Sequence, residues 1–116
     1  MASDQSFVDY VCDQVRAAGE ISFRKMFGEY ALYCDGKVVA LICDNQLFVK
    51  PTSLGRELIS QIGNITEAAP YPGAKPFFLI DSQLDDQAWM ARLVRSTAAE
   101  LPLPKPRKAK VKKEKP

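Results

Sequence analysis

The order of periodic segments in this 116-residue chain predicts an α+β domain. A helix leads into an antiparallel β-meander, and a second helix, a further strand and a third helix follow. Three observations carry that reading. Phe7, Val8, Val11, Val15 and Ala18 recur at the three- to four-residue spacing of one helix face. Asp35-Gly36 then joins two β-rich runs, among the strongest hairpin signals a sequence can show. Trp89, Met90, Leu93, Val94 and Thr97 return to the helical period near the end.

The first helix is expected to open at Ser3 or Asp4, either of which can cap it, and to close at Gly19 in a left-handed conformation. Asp9, Asp13 and Arg16 lie on its opposite face and read as solvated. From Ile21 to Lys50 the pattern is that of strands and tight turns. Tyr30–Cys34 turns at Asp35-Gly36 into Lys37–Cys43, which turns at Asp44-Asn45 into Gln46–Lys50. Two-residue loops set Leu32 opposite Val39 and Leu41 opposite Phe48. Tyr30, Leu32, Val39, Leu41 and Phe48 then share one face; Tyr33, Val38, Ala40, Ile42 and Val49 share the other. Both faces are apolar, whereas a monomeric antiparallel sheet usually wets one of them. The second face therefore needs a cover, from another helix or from a second subunit in a homodimer.

Pro51 ends the meander, and Thr52 or Ser53 caps a short helix carrying Leu54, Leu58, Ile59 and Ile62 toward Gly63. Asn64–Pro76, with three prolines, a glycine and Tyr71, reads as one long loop in which Tyr71 and Pro72 pin the chain over a sheet edge. Phe77–Ile80 is the last strand. Asp85 or Asp86 starts the third helix, which turns Arg92, Arg95 and Glu100 outward.

Charge divides the chain into two parts. The overall balance is +2, from 16 Lys+Arg against 14 Asp+Glu. Lys105, Arg107, Lys108, Lys110, Lys112, Lys113 and Lys115 face a single acid, Glu114, in a tail of net +6. That leaves nine basic against 13 acidic residues, or −4, on residues 1–104. The expected organisation is a globular domain over 1–101 and an unpacked Pro/Lys-rich tail over 102–116. Lysines there attract phosphates without reading sequence, so these seven residues are the candidates for weak, nonspecific DNA or RNA binding. The tail has no aromatic residue to stack on bases.

The inventory excludes much chemistry. The chain has no histidine, which removes Ser-His-Asp and Cys-His catalysis and histidine-bearing metal sites. Cys12, Cys34 and Cys43 show no C-x-x-C spacing and read as buried thiols; Cys34 and Cys43 are expected on one sheet face but too far apart for a disulfide. Asp81, Asp85 and Asp86 lack the glycine and terminal glutamate of a calcium loop, so capping explains them better. Glycines are scattered singly and build no phosphate loop. No catalytic residue, metal or cofactor is expected; a site around Glu29, Tyr33, Lys50, Tyr71 and Lys75 would need a geometry that spacing cannot supply. The N-terminus lacks an export signal, no apolar run reaches bilayer length, and the odd cysteine count suits a reducing cytoplasm.

Arg24-Lys25-Met26-Phe27-Gly28-Glu29-Tyr30-Ala31-Leu32-Tyr33, with Asp35-Gly36 and Val39–Ile42 after it, resembles the N-terminal domain of the TfoX/Sxy competence regulators. The likeness continues through Gln46–Lys50 and Tyr71-Pro72-Gly73-Ala74-Lys75-Pro76, and spans about residues 5 to 100. It implies a two-layer, secretion-chaperone-like fold in a bacterial setting. It also implies a link to transcription regulation, in which full-length members act with the cyclic-AMP receptor protein. Those members carry a second, helical domain where this chain has its lysine-rich tail. Arg24, Lys25, Tyr71 and Lys75 are the candidate partner-binding residues. The expected function is a non-enzymatic regulatory domain working through protein contacts; the alternative is a chaperone-like adaptor with no nucleic-acid role.

Overall fold

The computed structural model describes residues 3–26 and 29–101. Helix α1 (Gln5–Val15) leads into strands β1 (Ile21–Met26), β2 (Glu29–Cys34), β3 (Lys37–Cys43) and β4 (Gln46–Val49). Helix α2 (Ser53–Ser60), strands β5 (Glu67–Ala68) and β6 (Phe77–Ile80), and helix α3 (Gln87–Glu100) complete the α+β fold. The six strands form one antiparallel sheet in the order β1-β2-β3-β4-β6-β5.

The helices build one layer against one face of that sheet. Val8, Val11 and Val15 of α1 are buried, as are Met90, Leu93, Val94 and Thr97 of α3. They meet two cross-strand rows. Tyr30, Ile42, Leu47 and Ile80 form one, and Leu32, Ala40, Val49 and Phe78 form the other. Each fully buried Val, Leu, Ile, Met or Phe side chain among them stabilises the fold by about 1.5–3 kcal/mol. Asp35 and Gly36 both take positive φ, 53° and 83°, as a type I′ turn requires; Asp44 and Asn45 do the same at 54° and 56°.

The register of the first hairpin departs from expectation. Tyr33 pairs with Val38, but a bulge between Leu32 and Tyr33 sets Leu32 opposite Ala40 rather than Val39. The faces regroup accordingly: Tyr30 and Leu32 join Ala40, Ile42 and Val49 toward the helices. Leu41 and Phe48 do pair, on the other face. Cys34 and Cys43 consequently fall on opposite faces, and all three cysteines are free and buried. Burial is the leading reason that each thiol is pushed above its ordinary pKa.

The caps also differ. Asp4 occupies the N-cap position of α1, yet its side chain makes no cap bond. Ser3 and Asp4 instead tie the helix start to the sheet: Ser3 Oγ donates to Glu29 Oε1 at 2.7 Å, and the Asp4 amide donates to Asn45 Oδ1 at 2.8 Å. Gly19 is extended rather than left-handed, with φ 160°. Its lack of a side chain is needed for another reason, since a Cβ there would sit 2.9 Å from the Asp35 carboxylate. Thr52 caps α2 as expected, accepting from the Gly55 amide at 3.0 Å, and Asp86 caps α3 by accepting from Trp89 at 3.1 Å. However, α2 ends at Ser60, before Ile62; Leu54 and Ile62 are exposed, and Ile59 alone of the predicted stripe is buried. Nor is Asn64–Pro76 wholly a loop. Glu67–Ala68 pairs with Phe77–Phe78, so β5 rather than Tyr71 and Pro72 protects that edge.

Candidate interaction surfaces

The second face of the sheet carries a row that runs across five strands by direct pairing: Arg24, Ala31, Leu41, Phe48 and Leu79. Ala31 and Phe48 are buried and Leu41 and Leu79 half-buried. Ala31, Phe48 and Cys43 nevertheless stand outside the cluster that the helices pack against. Leu41 and Leu79 flank Phe48 on either side in the register. Among the described residues this face has no helix laid against it, so the predicted demand for a cover persists.

The candidate partner-binding residues separate in space. Arg24 and Lys25 are exposed neighbours on β1, so they point to opposite faces. Arg24 ends the apolar row of the second face, while Lys25 is paired with Tyr30 on the helix side. Tyr71, 57% exposed, and Lys75 belong to the segment between β5 and β6 at the other edge of the sheet. At about 4.8 Å per strand, β1 lies roughly 19 to 24 Å from β6 and β5, the strands that flank Tyr71 and Lys75. No single patch holds all four. The seven basic tail residues, Lys105 to Lys115, lie outside the described residues.

Beside β1 the chain forms an open groove of about 550 Å³. One wall is the side of α1 with Asp9, Cys12, Asp13 and Arg16; the other is the start of β1, with Ile21, Ser22 and Phe23. Arg16 and Asp13 form an ion pair at 2.8 Å, which raises the arginine's pKa through that hydrogen bond. Phe23 stands 39% exposed over this groove and packs edge-on against Tyr30, with ring centroids 5.6 Å apart. On the residue pattern alone, Phe23 is simply part of the β-rich stretch. Only its place on an edge strand makes it notable.

Glu29, Glu100 and Asp85 work as fasteners. Glu29 accepts from Ser3 N, Ser3 Oγ and Asp44 N at 2.9, 2.7 and 3.0 Å. Burial opposes its charge, but the bonds from Ser3 and Asp44 outweigh burial and hold the carboxyl below its ordinary pKa. Glu100 accepts from Leu54 N and from Ser53 N and Oγ, and the two amides chiefly lower its pKa. It thereby satisfies the start of α2 from the end of α3. Tyr10 donates to Asp85, and that bond raises the tyrosine's pKa. Among the described residues no group of three or more Cys, Asp or Glu is placed to hold a metal ion. None of the described helices is long and apolar enough to cross a membrane.

Comparison with known proteins agrees with this architecture. The family model of the TfoX N-terminal domain matches residues 13–101. A protein of Spirochaeta aurantia, described as an uncharacterized 12.7 kDa protein in the trpE 5′ region, is 46% identical over 114 residues. That alignment covers 97% of this chain and 95% of the relative. With the family model spanning the meander, α2, β6 and α3, this chain belongs to the TfoX N-terminal domain family.

Proposed function

We propose that this domain is a non-enzymatic, cytoplasmic regulator that works through protein–protein contacts in transcription control. The row Ala31–Leu41–Phe48–Leu79 with Arg24 at its end is the observation that carries this reading. An apolar row that keeps Leu41 and Leu79 half-open and has Arg24 at its end suits a partner that presents an apolar segment beside an acid. Family membership supports a transcription regulator of the cyclic-AMP receptor protein type as the first partner to try. The lysine-rich tail adds weak, nonspecific attraction to DNA or RNA, so it contributes affinity while the partner contributes the address.

Two measurements on the full chain test this. Titration with the cyclic-AMP receptor protein should give binding that Leu41→Glu weakens at least tenfold. Equal binding by the variant removes the second face as the contact, and no binding by either favours the adaptor reading. For the tail, changing Lys108, Lys110, Lys112 and Lys113 to Gln should weaken DNA binding. The slope of log affinity against log salt should fall by about 3. Unchanged, salt-insensitive binding refutes the role of the tail.

A further inference from the structure

The two edges of the sheet are protected unequally. At one edge β5 has two residues and is followed by prolines, a blunt end that offers no template. At the other, β1 is six residues long, and among the described residues no strand lies on its outer side. Which backbone groups it presents follows from the pairing. The Asp35 amide donates to the Glu20 carbonyl at 2.9 Å, so Glu20 turns its carbonyl toward β2. Antiparallel pairing alternates along a strand. Ser22 and Arg24 therefore bond to β2, while Ile21, Phe23 and Lys25 direct their N–H and C=O groups outward. These three residues also share the helix-side face, where Ile21 and Phe23 line the groove.

We propose that this edge pairs antiparallel with β1 of a second copy of the chain, with Phe23 on the two-fold axis. Phe23 then faces Phe23 of the second copy, and Ile21 faces Lys25 on either side. In this register all three outward residues of each copy exchange backbone hydrogen bonds. Shifting by one residue would place side chains on the wrong faces, so only two-residue steps compete. One such step puts Arg24 against Arg24, which repulsion disfavours. The opposite step sets Lys25 against Gly19 and loses one of the three bonded pairs.

Charge and shape agree with the same register. Lys25 of the second copy, seated opposite Ile21, lies beside the groove whose α1 wall carries Asp9 and Asp13. The exposed ring of Phe23 is covered by its symmetry mate, and each groove receives side chains from the other copy. The interface is isologous, as a closed dimer requires. It leaves the second face of the sheet open to a partner and does not depend on the function proposed above.

Light scattering over a concentration series of the full chain tests the proposal. The wild type should approach twice the mass of one chain, and Phe23→Glu, which opposes two carboxylates on the axis, should return it to one. Lys25→Glu should raise the dimer dissociation constant at least tenfold, and adding Asp9→Lys should recover most of that loss. Hydrogen exchange supplies an arm that needs no variant. The Ile21, Phe23 and Lys25 amides should gain protection with concentration, whereas Ser22 and Arg24 should not change. Leu41→Glu, on the second face, should leave the mass doubled. A wild type that stays at one chain mass, a Phe23→Glu variant that still dimerises, or dissociation by Leu41→Glu would each overturn the edge pairing.

Discussion

The two faces of the sheet are made from similar residues and held by different means. On the helix side, Leu32, Ala40, Val49 and Phe78 are all inaccessible, because α1 and α3 pack down on the sheet. On the other side, Ala31 and Phe48 are buried while Leu41 and Leu79, their neighbours in the same row, stay half-open. Interlayer packing excludes water from the first face. On the second, Leu41 and Leu79 keep part of their surface in water although they flank a buried Phe48. Apolar composition alone therefore does not make a core; a second layer does.

Truncation should expose that difference most sharply. Phe78→Ala removes a ring that packs in the core and under the Arg56 guanidinium, which lies 5.1 Å from its centroid. It should cost about 3–5 kcal/mol in urea unfolding. Leu41→Ala on the second face should cost about 1 kcal/mol, because much of that side chain already meets solvent. Equal costs would mean that the second face is a core in its own right.

Smaller effects come from the fasteners of the helical layer. Thr52→Ala leaves the Gly55 amide without its acceptor and should lower stability by about 1 kcal/mol. A Thr52→Ser variant should recover most of it, since the hydroxyl remains.

The smallest effect is acid dependence, and its sign follows from Glu29 and Glu100. Both carboxyls sit below their ordinary pKa in the fold. Their contribution is therefore full above the unfolded carboxylate range, about 4.3, and is lost as pH falls through the lower folded values. Hydrogen exchange should show the starts of α1 and α2 loosening first, with the centre of the sheet unaffected. An acid response led by β3 would show that these carboxylates are not what holds the helical layer at its ends.

Much of this was legible in local pattern. The helical stripes of α1 and α3, both hairpin turns and the capping roles of Thr52 and Asp86 all depend on residues within a few positions of one another. What was misread involves contacts over longer range. The bulge at Leu32/Tyr33 is invisible in a hairpin whose two faces are equally apolar, because sliding the register exchanges one hydrophobic set for another. Cys34 and Cys43 lie on opposite faces because of that bulge. Strand β5 is too short to show a period, and Glu100, 46 residues from Leu54, carries no local sign that it caps another helix. At the candidate surfaces, Arg24 and Lys25 stood out by composition, but their division between two faces follows from strand geometry.

By itself, then, the order of residues determined the three helices, the strands of the meander and β6, the turns at Asp35-Gly36 and Asp44-Asn45, and the split of charge into an acidic body and a basic tail. These follow from backbone preference and side-chain periodicity, which act over one or two turns of chain. The tertiary structure decided which apolar face lies under helices, which strand stands at a long edge and which acids serve as fasteners. Each of those depends on pairing between distant segments, where a bulge of one residue or a neighbouring strand changes what a side chain meets.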